Sequence, residues 1–251
     1  MDIPTLLDTH LRELRLPTVL RNYRQVAQDA AQSQLGYDRF LLALVEQELA
    51  QRERNRQQQR IKAAHFPFLK ELSDFDFSCI QAPTQAQILA LADNHYIPVA
   101  EPVILVGNPG LGKTHIALAL ALAACRQGYK VRFYNAAALV NELLAAQTEQ
   151  RLPRLFSSAL KQQLIVLDEL GFIPFSPTAA QLLFQFCSTL YERVPLLITT
   201  NLRFADWVQV FGEERLTAAL LDRLTHRAHI LEFIGDSFRL RQSLKPSAKK
   251  R

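Results

Sequence analysis

Residues 104–128 read ILVGNPGLGKTHIALALALAACRQG. An apolar run ends at Gly107, and a long series of helix formers begins after Lys113. Between them, Gly107-Asn108-Pro109-Gly110-Leu111-Gly112-Lys113-Thr114 matches G-x-x-x-x-G-K-[ST]. Glycines let successive backbone N–H groups turn toward one point. A helix starting there adds unpaired N–H groups and the positive end of its dipole. Lys113 brings a full charge for β- and γ-phosphates, and the Thr114 hydroxyl can hold Mg²⁺. With His115 closing the set, residues 107–115 are the candidate triphosphate-binding loop.

Working outward, residues 83–93 read as a helix, and the chain then alternates short apolar strands with longer helices. The strands are expected at 102–106, 130–134, 164–168, 195–200 and 229–234. The helices are expected near 113–127, 136–147, 178–192 and 213–224. Near-continuous apolar strands separated by helices predict an α/β fold, a parallel five-stranded sheet covered on both faces. Ligands of such sheets sit at the carboxyl ends of the strands.

Three further motifs fall there or nearby. Leu164-Ile165-Val166-Leu167-Asp168-Glu169 ends a buried strand in two acids. Asp168 is placed to hold Mg²⁺, and Glu169 to orient or polarise an attacking water. Leu196-Leu197-Ile198-Thr199-Thr200-Asn201 ends the next strand in polar groups, and the Asn201 amide could hold the γ-phosphate or the water; the alternative is an ordinary turn residue. Leu220-Leu221-Asp222-Arg223-Leu224-Thr225-His226-Arg227 carries two arginines four apart, expected on one helix face. Their expected use is to reach the nucleotide of a neighbouring subunit, Arg223 ahead of Arg227. The alternative is pairing of Arg223 with Asp222, Glu213 or Glu214.

Before residue 83 the texture differs. Residues 5–62 read as helical: Leu6, Leu7, Leu11 and Leu14 follow helical spacing, Pro17 starts a second helix, and Asp38 is expected to cap a third. This divides the chain into an N-terminal helical module (1–65), a connector (66–82), the α/β core (83–243) and a basic tail (244–251). The net charge is +5, unevenly spread. Arg239, Arg241, Lys245, Lys249, Lys250 and Arg251 hold six of the 29 bases, which leaves 23 against 24 acids elsewhere. A second cluster, Arg52, Arg54, Arg56, Arg60 and Lys62, is with the tail a candidate contact for a polyanion such as DNA; a solvated helix face is the alternative. No apolar run reaches the roughly 18 residues that span a bilayer. Cys79, Cys125 and Cys187 are scattered and odd in number, which fits a reducing cytoplasm better than a disulfide framework or zinc site.

GNPGLGKT, LIVLDE, ITTN and LLDRLTHR, in this order, resemble the AAA+ ATPase set. The short ending HILEFIGDSFRLRQS leaves no room for a C-terminal lid and is similar to the DnaC and IstB branch. The N-terminal stretch from LRLPTVLRNYRQ to KELSDFDF resembles the IstB-type helper ATPases of insertion sequences. That resemblance implies a DNA-transposition accessory protein: a homo-oligomer with ATP at its subunit interfaces, bound to double-stranded target DNA and stimulating a partner transposase. A replicative helicase loader of the DnaC type would share all four motifs and differ in its N-terminal module. A small-molecule kinase would need a lid that nothing here encodes, and an inactive DNA-binding scaffold would not need Lys113, Asp168 and Glu169 together.

Overall fold

The computed structural model describes residues 3–172 and 174–238. The basic tail and Arg239 and Arg241 lie outside the described residues. The chain divides into two compact units, Met1–Gln59 and Arg60–Arg251.

The first unit holds α1 (Ile3–Glu13), α2 (Pro17–Gln32) and most of α3 (Tyr37–Ala63). Pro17 opens α2, where its missing N–H costs nothing. Leu16 precedes it and has no side chain to cap the helix. Glu48 supplies the cap from a distance. Its buried carboxylate accepts the Thr18 N–H at 2.8 Å and the Val19 N–H at 3.2 Å, and Arg52 Nε donates to it at 2.8 Å. Burial opposes ionisation of Glu48, but the Arg52 guanidinium and the two backbone donors outweigh it and hold the carboxyl below its ordinary range. Asp38 does not precede the third helix as a cap; α3 already begins at Tyr37, so Asp38 sits in its first turn. Leu44 is buried, whereas Leu41, Val45 and Leu49 of the same helix are 60%, 44% and 60% exposed. The apolar stripe of α3 is therefore wider than the core it serves.

The second unit is built on β1 (Ile80–Ala82), β2 (Val103–Gly107), β3 (Val131–Asn135), β4 (Leu164–Leu170), β5 (Leu196–Thr200) and β6 (His229–Gly235). Their order is β1-β6-β2-β5-β4-β3. The five expected strands run parallel. The sixth, β1, pairs antiparallel with β6 and was not expected, because its three residues lie in the segment read as a connector. Helices α4 (Gln85–Ala92), α5 (Lys113–Arg126), α6 (Ala136–Thr148), α8 (Pro177–Leu190) and α10 (Glu214–Thr225) match the expected helices to within two residues at either end. Two short helices, α7 (Leu152–Ala159) and α9 (Val208–Phe211), were not expected.

Alternation along the central strands divides them between two cores. Ile104, Val106, Ile165, Leu167 and Ile198 face a cluster with α6, α8 and α10. Val103, Leu105, Leu164, Val166 and Leu197 face the opposite cluster with α4 and α5. Both sets are almost fully buried, so the strand backbones are fixed from both sides and their carboxyl ends are held in register.

Replacement of Glu48 by Gln is expected to destabilise the first unit by about 1–3 kcal/mol at neutral pH, since a charged acceptor for buried N–H groups is lost. The depressed folded-state pKa adds stability above the ordinary value of 4.5 that is lost as pH falls through the folded value. The wild-type advantage over Glu48→Gln in urea unfolding is thus expected to shrink below about pH 4.5; a gap independent of pH would contradict the charge-assisted cap.

Candidate functional site

At the end of β2 the chain must turn beside β6. Gly107 has φ +149°, and a Cβ there would lie 2.5 Å from the Phe233 carbonyl oxygen. Gly112, at φ +84°, precedes α5 with no side-chain cap. A Cβ on Gly112 would strike the Phe75 ring at 2.4 Å. The loop thus approaches its neighbours as backbone, and the first N–H groups of α5 are left for a ligand rather than a cap. Lys113 is only 9% exposed. Its Nζ donates to the carbonyls of Gly107 at 2.6 Å and Asn108 at 2.8 Å, which folds the lysine back over the loop.

Behind the loop lies a chain of hydroxyls and carboxylate. Thr114 Oγ1 donates to Asp168 Oδ1 at 2.9 Å, and Thr199 Oγ1 donates to the same oxygen at 2.5 Å. The Glu169 N–H donates to Thr199 Oγ1 at 2.9 Å. Asp168 is 4% exposed. Burial pushes its pKa up, against the two hydroxyl donors that favour the charged form. The β4–β5 register shifts between Leu167 and Leu170, and Glu169 adopts φ +59°. This bulge turns Asp168 inward and leaves Glu169 exposed. Glu169 Oε2 accepts from Asn135 Nδ2 at 3.0 Å, while Asn135 Oδ1 caps α6 through the N–H groups of Ala137 and Ala138.

These groups open on a cavity of about 400 Å³. One wall is the loop with Thr199, Thr200 and Asn201; the other comes from Phe68, Lys70, Phe75 and Phe238. The segment 66–82 is therefore not only a connector: it walls the site and ends as β1. His115 Nε2 donates to the Glu71 carbonyl at 2.9 Å and its ring meets Phe75 edge-on at 5.2 Å, so His115 ties the loop helix to that wall. Leu111 is buried in the α5 core, and Asn108 and Pro109 are exposed at the rim.

The residues fit a triphosphate with Mg²⁺. The glycine cradle has no room for side chains, Lys113 carries the charge, and Thr114 and Asp168 are hard oxygen donors of the kind Mg²⁺ takes. Among the described residues no three His, Cys, Asp or Glu side chains gather as a metal site. A metal here would draw its remaining ligands from phosphate and water, as Mg²⁺ commonly does.

Other candidates are dispersed. The expectation that Arg223 and Arg227 share a helix face is corrected: α10 ends at Thr225, and Arg227 has φ +55° beyond it. Arg223 does not pair with Asp222, Glu213 or Glu214; its guanidinium packs over Phe184 and donates to Ser188. Both arginines line a separate cleft with Glu101, Pro102, Tyr191 and Leu196, at the amino ends of β2 and β5. The basic cluster is divided as well. Arg52 is bound by Glu48 and donates to the Arg15 carbonyl. Arg60 is half-buried and its Nε donates to the Cys125 carbonyl in the last turn of α5 at 3.0 Å, as a helix C-terminal cation should. Arg54 donates to Gln51, Arg56 lies 3.8 Å from Glu53, and Lys62 is exposed. Only Arg54, Arg56 and Lys62 present exposed charge.

Sequence reasoning singled out neither Thr199 nor Asn135. Each had a signal, a polar group at the carboxyl end of an apolar strand, but nothing in one dimension shows which acid it meets.

Comparison with known proteins gives the family. The family model described as IstB-like ATP binding protein matches residues 9–246. The chain is similar, at 33% identity over 95% of its length and 90% of the relative's, to the ATP-binding protein of insertion sequence IS21 from Pseudomonas aeruginosa. It is 32% identical, over 93% of each chain, to the ATP-binding protein of IS5376 from Geobacillus stearothermophilus. Among solved structures, DnaI has a similar fold, with TM-score 0.56 and 18% identity over 65% of this chain and 90% of its own.

Asp168→Asn keeps an acceptor for Thr114 and Thr199 but removes the buried charge. The raised folded pKa means that the acid's contribution is favourable below its unfolded value, ordinarily 3.8, and is lost as pH rises through the folded value. In metal-free buffer Asp168→Asn is therefore expected to melt higher than wild type at pH 7 and to converge with it below about pH 4. A variant less stable than wild type at pH 7 would contradict the desolvation argument.

Proposed function

Because the chain belongs to the IstB-like ATP-binding proteins, we propose that it is an ATP-hydrolysing assembly switch: copies gather on double-stranded DNA with ATP at their boundaries and present that DNA to a partner transposase. The observation that carries this reading is the buried Asp168, bonded by Thr114 and Thr199, which line the cavity together with Lys113. A hydroxyl-buttressed acid at the foot of a phosphate loop is what triphosphate chemistry with Mg²⁺ requires.

In this reading Lys113 exchanges its two loop carbonyls for β- and γ-phosphate oxygens. Thr114 and Asp168 would hold Mg²⁺, which would neutralise charge on the phosphates. Glu169 orients the attacking water once its carboxylate leaves the Asn135 amide, and Asn201, on the cavity wall, holds the γ-phosphate or that water. Phe68 and Phe75 offer apolar ring surface for the base.

Arg223 belongs to the next copy's site. Its cleft lies at the amino ends of the strands and the phosphate loop at their carboxyl ends, about 13 Å away along β2 at a strand's rise per residue. An arginine side chain does not cover that distance to its own loop, whereas one facing outward can serve a neighbour. Arg54, Arg56 and Lys62 remain the candidate phosphate contacts for DNA. Three buried free thiols support a cytoplasmic setting. Family membership favours the insertion-sequence helper over a helicase loader, since the DnaI likeness, at 18% identity, concerns the fold alone.

Lys113→Ala is expected to weaken ATP binding at least ~100-fold, since the loop's phosphate charge is lost, and to abolish ATP-dependent assembly on DNA, read by nucleotide titration and by sedimentation with duplex. Normal assembly by that variant would refute the switch. Glu169→Gln is expected to bind ATP normally, hydrolyse it at least ~100-fold more slowly and remain on DNA longer; rapid release would remove its assigned role. For wild type, log affinity for duplex should fall linearly with log salt, and a flat response would refute phosphate-based DNA binding.

A further inference from the structure

Arg223 rests on a shelf formed by α8. Its guanidinium carbon lies 4.8 Å from the centre of the Phe184 ring, and Nη1 donates to Ser188 Oγ. Phe184 and Ser188 are four residues apart on α8, so ring and hydroxyl project from one helix face, the face that meets α10. All three side chains belong to half-buried residues at the surface.

We infer that Phe184 and Ser188 are positioning residues that pre-orient Arg223 for the nucleotide of the adjacent copy, an inference that rests on the trans role proposed above. An arginine on an open surface samples many rotamers, and fixing it at the moment of contact costs entropy. A guanidinium lying on a ring with one N–H engaged has already lost that freedom. The shelf does not consume the group: a guanidinium carries five N–H donors in a planar fork. Ser188 takes one and Phe184 covers one face, which leaves the other edges for phosphate oxygens. Neither shelf residue lines the chain's own phosphate cavity; Phe184 also packs against the core on that face of the sheet, so Ser188 gives the cleaner reading of the shelf.

The test mixes two full-length chains on duplex DNA with ATP and Mg²⁺. Lys113→Ala lacks a working phosphate site but donates Arg223; Arg223→Ala holds nucleotide but lacks the donor. Together they are expected to restore turnover that neither shows alone. Failure to restore it overturns the trans role, and the shelf with it. Ser188→Ala or Phe184→Leu, added to the Lys113→Ala chain, is expected to lower the restored kcat about five-fold (~1 kcal/mol) with KM for ATP within about two-fold. The same change added to the Arg223→Ala chain, where the shelf is empty, is expected to have no effect. Restoration with no loss from the donor-side change, or with equal loss from either side, keeps the trans role and overturns the shelf. Ser188→Thr on the donor side retains the hydroxyl and is expected to recover most of the rate; a rate as low as that of Ser188→Ala would count against the hydrogen bond. Should Phe184→Leu fail to fold, the Ser188 pair decides the matter.

Discussion

One buried carboxylate ties the second unit together. Asp168 Oδ1 receives the Thr114 hydroxyl from the first turn of α5 and the Thr199 hydroxyl from the end of β5. Three elements distant in sequence meet at one oxygen. Burial disfavours the charge that the two hydroxyls are aimed at, and the arrangement is held by a rigid sheet.

That rigidity comes from the two-sided core. Central strands whose side chains alternate between two packed helix layers have little freedom to shift. Their carboxyl ends become a fixed row: Gly107, Asn135, Asp168 and Thr200 stand on adjacent strands. The bulge at Glu169 is a local departure from this regularity, and it separates two consecutive acids into an inward and an outward one. Had β4 run on without it, β alternation would still have pointed them to opposite faces, but not with Asp168 facing the loop and Glu169 held beside Asn135.

The amino ends of the same strands carry Arg223. With the glycine loop at one end of the sheet and a shelved guanidinium at the other, the fold has the arrangement that the proposed head-to-tail assembly would use. Arg223 stands half-buried with Phe184 and Ser188 as its partners, not with the neighbouring acids that were the sequence's alternative.

The glycine loop, the paired acids and the parallel α/β class were legible in the sequence, because each depends on local order: glycine spacing, strand-length apolar runs, and a polar residue where a run ends. The sequence was less informative wherever a partner lies far along the chain. Segment 66–82 read as a connector because three residues of strand carry almost no periodic signal, yet pairing with β6 makes Ile80–Ala82 an edge strand, and Phe75 lines the cavity. Arg60 counted as a free cation until the fold brought it to the end of α5, and the two arginines after Leu221 shared a helix face only on paper, since α10 stops between them. Residue type and spacing determined which chemistry the chain carries. Only tertiary packing decided which charges are spent within the protein and which remain to meet a ligand, because a charge is neutralised by whatever the fold sets within a few ångströms of it, and sequence distance does not measure that.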